Sequence, residues 1–202
     1  MDWSLFHLLN SSLRGHGTLA AVVADFASWI VPVFAAATVA LWLADRPGHP
    51  PRWKLACASA LAAAALGLLV NQAIGQLWFR ERPFVAHPNA TLLLADRSAD
   101  PSFPSDHATA AFAISVAVLF FGRRIGIVFL TFASALGIAR IFVGLHYPSD
   151  IAAGTAIGIG CATLVATLGR GVLLKSVELA SRLTDPLVQP LWRLPGRKTH
   201  SP

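Results

Sequence analysis

Five long apolar runs restrict what this chain can fold into more than any other feature of the sequence. They cover residues 26–44, 55–77, 108–121, 125–143 and 151–168. A helix needs about 20 apolar residues to cross a bilayer, and all the runs except the shorter third approach that length. Hydrophobic residues make up 55% of the chain and charged residues 13%, a balance outside the usual range of soluble domains. The sequence therefore predicts an all-α, integral membrane helical bundle.

The connections between the runs leave no room for a separate soluble domain. We therefore expect residues 1–202 to form one membrane-embedded domain of about five to six helices. Residues 1–16 are typical of an amphipathic segment at the membrane surface, and a frayed terminus is an equally open interpretation. Residues 175–202 are typical of a cytoplasmic tail that lies along the inner surface. Cys57 and Cys161 fall inside apolar runs, so neither a disulfide framework nor a zinc site is indicated.

The net charge of +6 follows the predicted topology. If the spans alternate between the two sides, one face receives Arg46, Arg52, Lys54, Arg123, Arg124, Arg170, Lys175, Arg182, Arg193, Arg197 and Lys198. The other face receives only Arg14, Arg80, Arg82, Arg97 and Arg140. The positive-inside rule makes the first face cytoplasmic, which places the amino terminus outside and the carboxyl terminus inside. The basic residues are thus topology signals, and no nucleic-acid partner is expected.

Three polar clusters meet at the outer ends of the spans in this topology. They are RERPF at residues 80–84, FPSDHAT at residues 103–109 and ARIFVGLHYPSD at residues 139–150. The stretch from Arg80 to Asp106 is long and contains four prolines, and loops of that length are usually functional or disordered. Ionisable residues at membrane-embedded helix ends are costly and usually face the bundle interior. The outer end of the bundle is therefore the predicted site.

His146 and Asp150 lie four residues apart at the start of the fifth span. This spacing puts their Cβ atoms about 5–6 Å apart on one helical face. A carboxylate in that position holds an imidazole in one tautomer and stabilises its cation. Taken alone, the pair is more typical of a helix cap beside an interfacial histidine than of a catalytic pair.

The start of the third span is a predicted phosphate site. Pro104, Ser105 and Asp106 are typical of a helix amino terminus, where unpaired N–H groups favour anions. Arg82 and Arg140 add planar cations that match phosphate oxygens. In such a site His107 protonates a leaving group while His146 attacks phosphorus.

Together the three clusters resemble the signature of the type 2 phosphatidic acid phosphatase superfamily, which includes integral membrane lipid phosphatases and soluble vanadium haloperoxidases. That signature is lysine, six residues and Arg-Pro; then Pro-Ser-Gly-His; then Ser-Arg, five residues, histidine, three residues and aspartate. The matching residues here are Arg82-Pro83, then residues 104–107 with Asp106 for glycine, then Ala139-Arg140, His146 and Asp150 with alanine for serine. The order and spacing of three separate motifs make the resemblance specific.

The resemblance implies a role for each matched residue. His146 is the nucleophile that forms a phosphohistidine, Asp150 orients it, and His107 is the general acid that later helps water attack. The residues implied to hold phosphate oxygens are Arg82, Ser105 and Arg140. The resemblance to the lipid phosphatases of this family implies no metal, and no cofactor is expected here.

Two departures from the signature concern the phosphate site. The lysine of the first motif falls on Gly75, and Arg80 is a candidate to replace the missing cation. The small size of Gly75 would also admit a larger head group. Asp106 adds a negative charge that weakens phosphate binding unless it is protonated or paired with an arginine.

The Pro-Ser-Asp-His variant, with FVAH after Arg-Pro, is similar to bacterial undecaprenyl diphosphate phosphatases of the bacitracin-resistance type. This implies a polyprenyl diphosphate substrate, cleaved to the monophosphate at the extracytoplasmic side of the bacterial plasma membrane. The reaction would recycle the carrier lipid after cell-envelope polymers have been transferred. The prenyl tail would stay in the bilayer among membrane lipids while the diphosphate reaches the outer cavity.

Other functions remain open from the sequence. A phosphatase for phosphatidylglycerophosphate or phosphatidate would carry the same three motifs. An anion transporter that uses His146 and Asp150 as a proton relay is disfavoured, because a pathway would place polar residues along the spans and not at one end. A metal site built from His107, His146 and Asp150 would predict inactivation by chelators. The sequence predicts no oligomeric state.

Overall fold

The computed structural model describes residues 2–46, 49–94 and 100–192, with the side chains of residues 191 and 192 left aside. Across these residues it contains eight helices and no strand. The helices are α1 (Asp2–Ser11), α2 (Gly17–Ala44), α3 (Arg52–Leu77), α4 (Pro83–Ala86), α5 (Asp106–Phe121), α6 (Arg123–Phe142), α7 (Pro148–Leu168) and α8 (Arg170–Trp192). The predicted all-α class is confirmed. The number of helices exceeds the predicted five to six for two reasons. The loop between α3 and α5, called the site loop below, contains the short α4, and the predicted tail is largely helical.

Four of the helices are long and apolar enough to cross a membrane, and they are α2, α3, α6 and α7. The chain is therefore a multi-pass membrane protein. The predicted third span is α5, which has 16 residues and a length of about 24 Å, short of the roughly 30 Å hydrocarbon layer. Helix α2 begins at Gly17, nine residues before the predicted span, because the turns around Asp25 are also helical.

The short helix α5 lies at the centre of the bundle, packed against α3, α6 and α7. Glycines on α7 allow this close packing. A Cβ atom on Gly154 would lie 2.6 Å from the carbonyl oxygen of Ser105, and one on Gly158 would lie 2.9 Å from the backbone nitrogen of Ala113. Only a residue without a side chain permits these approaches. The amino terminus of α5 is thereby held directly against the start of α7.

The amino-terminal helix α1 packs on α6 and α7 at the end of the bundle where α5 begins. Its anchor is Asn10, whose Nδ2 donates to the carbonyl oxygens of Thr91 and Phe142, each over 2.8 Å. The backbone N–H of Thr91 donates back to Asn10 Oδ1 over 2.8 Å. The predicted surface segment is therefore also tied to the loop that carries the site.

Helix α8 lies at the opposite end, where it packs on α3 and α7. Lys54, at the start of α3, is buried and forms an ion pair with Asp185. Leu179, Leu183 and Leu187 lie exposed along α8, as in a helix that rests on a membrane surface. Residues 193–202 of the predicted tail, with Arg193, Arg197 and Lys198, and Arg97 of the site loop, lie outside the described residues.

Candidate active site

A cavity of about 340 Å³ opens at the end of the bundle where α5 begins. Its lining residues are Asn71, Gln72, Gly75, Gln76, Arg82, Asp100, Pro101, Phe103, Pro104, Asp106, His107, Arg140 and His146. The predicted nucleophile, general acid and both predicted arginines thus share one cavity, although they come from segments far apart in the chain. Gly75 and Asp106 also line it. Ser105, Arg80 and Asp150 are not among the lining residues.

His146 is 2% exposed and follows the turn between α6 and α7. That turn requires Gly144, whose φ of +90° lies in the left-handed region. The Nδ1 atom of His146 lies 2.8 Å from the carbonyl oxygen of Ser102. A carbonyl only accepts hydrogen bonds, so Nδ1 carries the hydrogen and Nε2 carries the lone pair. Nε2 has no hydrogen-bond partner in the described part of the chain.

The charge state of His146 follows from its surroundings. Burial, and then the positive charges of Arg140 and Arg82, lower the pKa of His146 well below its ordinary value. The imidazole is therefore neutral near pH 7, with Nε2 available as a nucleophile.

Asp150 contacts His146 less directly than the spacing predicts. Its Oδ2 lies 3.9 Å from Nδ1 of His146, too far for a hydrogen bond. Instead Oδ2 accepts hydrogen bonds from the hydroxyl of Ser102, over 2.6 Å, and from the backbone N–H of Tyr147, over 2.7 Å. Asp150 therefore holds the residue whose carbonyl orients the imidazole. Sequence reasoning missed Ser102, because its contacts depend on the path of the loop.

Ser105 has the predicted position at the start of α5. It is fully buried, and its hydroxyl accepts a long, 3.4 Å hydrogen bond from the N–H of Ala108 as the N-cap. Its own backbone N–H donates to the carbonyl oxygen of Asp150 over 3.1 Å. These contacts fix the start of α5, and with it His107, against the start of α7.

Asp106 has a partner that the sequence did not predict. The side-chain amide of Asn71 donates from Nδ2 to Asp106 Oδ1 over 2.7 Å and to Thr109 Oγ1 over 2.9 Å. An amide, not an arginine, thus holds this carboxylate at the cavity wall. The i, i+4 spacing of Asn71 and Gly75 on α3 places both at the cavity.

Arg80 is directed away from the cavity. Its guanidinium donates to Asp150, over 2.7 Å, to Asp2, over 2.6 Å, and to the hydroxyl of Ser149, over 2.7 Å. Arg82 does line the cavity, and its Nε donates to the carbonyl oxygen of Asp100 over 3.1 Å. The position that matches the family lysine, Gly75, faces Pro101, with 3.5 Å between a Cβ atom added there and the proline ring.

Residues 56–171 match the sequence profile of the PAP2 superfamily, which is more than half of the chain.

The chain belongs to the PAP2 superfamily.

Named relatives extend the match over nearly the whole chain. Undecaprenyl-diphosphatase BcrC of Bacillus subtilis is 31% identical over 195 residues, which cover 96% of this chain and 97% of that protein. The decaprenylphosphoryl-5-phosphoribose phosphatase of Mycobacterium tuberculosis is 34% identical over 126 residues, covering 62% and 66% of the two chains. The similarity to BcrC predicted from the motifs is confirmed, and this PAP2 protein is a hydrolase of lipid phosphates.

The fold agrees with a solved PAP2 structure. The crystal structure of LpxE from Aquifex aeolicus superposes with a TM-score of 0.65 at 24% identity, covering 81% of this chain and 93% of that one. At this identity the likeness concerns the fold alone.

Proposed function

We propose that this PAP2 protein hydrolyses a polyprenyl diphosphate, such as undecaprenyl diphosphate, to the monophosphate and inorganic phosphate. One observation carries the proposal. The unprotonated Nε2 of a buried, neutral His146 belongs to the same cavity as His107, Arg82 and Arg140. A nucleophile, a proton donor and two fixed cations are the groups that phosphoryl transfer through a covalent intermediate requires.

In the first step, Nε2 of His146 attacks the terminal phosphorus. The N–P bond forms as the bond from phosphorus to the bridging oxygen breaks, and that oxygen keeps the electron pair. Burial, and then the positive charges of Arg140 and Arg82, lower the pKa of His107 to about 3, so His107 is neutral in the free protein and must take up a proton with the anionic diphosphate. The lipid monophosphate then leaves with that proton from His107. Arg82 and Arg140 neutralise the charge that spreads over the other phosphorus oxygens. The Ser102 carbonyl keeps its hydrogen bond to Nδ1 as the imidazole becomes positive.

In the second step, water attacks the phosphohistidine. His107, now neutral, accepts a proton from that water as the N–P bond breaks. The electron pair of the broken bond returns to Nε2, and inorganic phosphate is released. The roles of His107 and His146 are thus restored for another turnover.

One finding favours a polyprenyl diphosphate over other lipid phosphates. The relative BcrC, named an undecaprenyl-diphosphatase, matches this chain over nearly its full length. The cavity opens at one end of a membrane bundle, so the tail of a lipid phosphate can stay beside the helices while its head group enters. This position suits a glycerolipid phosphate equally, and the experiment below distinguishes the two.

The distribution of charge supports an extracytoplasmic site. Basic residues at the start of α3, between α5 and α6, and on α8 lie at the end opposite the cavity, and they include Arg52, Lys54, Arg123, Arg124, Arg170, Lys175 and Arg182. By the positive-inside rule that end faces the bacterial cytoplasm. The amino terminus and the cavity then face outward, and the carboxyl terminus lies inside.

The test is phosphate release by the purified protein in detergent with excess chelator. Undecaprenyl diphosphate, phosphatidylglycerophosphate and decaprenylphosphoryl-5-phosphoribose are offered side by side, with His146→Ala as the control. We expect the highest kcat/KM for the diphosphate and no release by the variant. A higher kcat/KM for another lipid would overturn the proposed substrate and leave the proposed mechanism standing. Full activity of His146→Ala would overturn the mechanism, and loss of wild-type activity with chelator alone would indicate a metal.

A further inference from the structure

Asp2, on the amino-terminal helix, reaches the rear of the candidate active site. Its carboxylate accepts hydrogen bonds from Arg80 Nη2 over 2.6 Å, from the Ser149 hydroxyl over 2.6 Å and from the Ser149 backbone N–H over 3.1 Å. The other terminal nitrogen of Arg80 donates to Asp150 over 2.7 Å. One guanidinium therefore bridges Asp2 on α1 and Asp150 on α7.

The position of Asp2 is fixed by contacts that do not involve Arg80. Asn10 anchors the far end of α1 to the site loop and to α6. Trp3, next to Asp2, stacks on His87 with 3.6 Å between ring centroids. Phe6 is fully buried beside Tyr147. Helix α1 thus presents Asp2 to Arg80 from a docked position.

Asp150 needs the charge that Arg80 brings. It is fully buried, and an isolated buried carboxylate is costly unless a cation and hydrogen bonds compensate it. Arg80 is 28% exposed and also lies over the ring of Tyr147, 4.0 Å from its centroid. Burial raises the pKa of Asp2, but the hydrogen bonds from Ser149 and Arg80 outweigh burial and lower that pKa. Asp2 is therefore ionised at neutral pH and holds the outer side of the guanidinium.

The contacts continue from Asp150 to the proposed nucleophile. Asp150 accepts from the Ser102 hydroxyl, and the Ser102 carbonyl accepts from Nδ1 of His146. Neither Asp2 nor Arg80 is among the residues that line the cavity. Their effect on the reaction must then come through the orientation of His146 and not through phosphate contact.

We infer that Asp2 is a positioning residue for His146, acting through Arg80, Asp150 and Ser102. The inference rests on the proposed function, because it assumes that His146 is the nucleophile. It gives the amino-terminal helix a part in the site that the three family motifs do not contain. It also assigns Arg80 to orientation, although its place in the sequence suggested phosphate binding.

The test compares Asp2→Asn and Asp2→Glu with Arg80→Gln and with the double variant Asp2→Asn/Arg80→Gln. The purified full-length proteins are assayed for kcat and KM with the lipid that the wild type hydrolyses best, and their melting temperatures are measured. Asp25→Asn is the matched control, because it removes one carboxylate from an exposed position on α2. A merely structural role for Asp2 would change the melting temperature and leave kcat of the folded protein unchanged.

We expect Asp2→Asn to lower kcat at least about threefold with KM nearly unchanged, and Asp2→Glu to restore most of it. Arg80→Gln should lower kcat about tenfold, and Asp2→Asn should then add no further loss, because both act through one contact. The inference about Asp2 would be overturned by an unchanged kcat in Asp2→Asn, or by a double variant whose loss of kcat equals the product of the two single losses. Either result would leave the proposed function standing. A wild type that releases no phosphate from any lipid would overturn the proposed function and this inference with it.

Discussion

The Nδ1–H of His146 donates to the backbone carbonyl of Ser102 over 2.8 Å, while the carboxylate of Asp150 stays 3.9 Å from the same nitrogen. The imidazole is thus oriented by a loop carbonyl, and the aspartate orients the loop. This arrangement fixes the tautomer that leaves Nε2 unprotonated. It also makes the hydroxyl of Ser102 the link between the carboxylate and the nucleophile.

Removing that hydroxyl should slow the reaction without weakening substrate binding. Ser102→Ala keeps the carbonyl that accepts from His146 but loses the 2.6 Å hydrogen bond to Asp150. The loop that orients the imidazole is then no longer held by Asp150. We expect kcat to fall about tenfold, as for one hydrogen bond to a charged group, with KM changed less than twofold. Steady-state kinetics on the purified variant measure both. An unchanged kcat would show that Asp150 orients His146 without Ser102.

The pH dependence of the reaction should reflect the low pKa of His146. Burial, Arg140 and Arg82 lower that pKa, so the imidazole stays neutral and nucleophilic at pH values well below 6.5. The acid limb of the kcat/KM profile, which reports the free enzyme, should lie below pH 6.5. Arg82→Gln removes one positive charge, which raises the pKa of His146 and moves the acid limb to higher pH. A limb that moves down, or does not move, would contradict this assignment.

The close packing of α7 against the start of α5 should leave no space for a side chain at Gly154. Its added Cβ atom would lie 2.6 Å from the Ser105 carbonyl oxygen and push α5 away from α7. We expect Gly154→Ala to lower the unfolding free energy by about 1–3 kcal/mol and to reduce activity, because the start of α5 moves. The matched control on the same helix is Gly160→Ala, whose Cβ atom would meet nothing within 4 Å. Equal melting temperatures for the two variants would contradict the packing argument.

A lysine at Gly75 should supply the cation that this chain lacks. A Cβ atom added at Gly75 would lie 3.5 Å from the ring of Pro101, which is an ordinary van der Waals distance. A longer side chain at this position can therefore enter the cavity. Gly75→Met is the matched control, because it fills similar space without charge. We expect KM for the diphosphate to be at least about threefold lower for the lysine variant than for the methionine variant. If both variants raise KM equally, the space at Gly75 serves the head group and the missing charge is unimportant.

Much of the helical fold, and most of the residues that line the cavity at the candidate site, could be predicted from local sequence patterns. The apolar runs identified the helices, since each run is long and bounded by polar residues. The alternation of the spans predicted that His107, Arg82, Arg140 and His146 meet at one end of the bundle, and all four line one cavity there. The shortness of α5 was also visible, because its apolar run, residues 108–121, has only 14 residues.

The contacts that depend on the path of loops could not be predicted in this way. Ser102 precedes the second motif and has no periodic partner, so nothing in the sequence pairs it with both Asp150 and His146. Arg80 lies two residues from Arg82 and was assigned to the same anion, yet its guanidinium turns to Asp150 and Asp2. Asp2 on helix α1 holds Arg80 in this direction, and the docking of α1 is a tertiary event.

Phosphorylation of Nε2 of His146 can be tested by trapping the phosphoenzyme. The purified enzyme is mixed with undecaprenyl diphosphate labelled on the terminal phosphate, quenched within the first turnover at alkaline pH, and digested. We expect acid-labile, alkali-stable label on the peptide that contains His146, and none in His146→Ala. Label on another residue, or steady release of phosphate by an enzyme that never carries label, would contradict it.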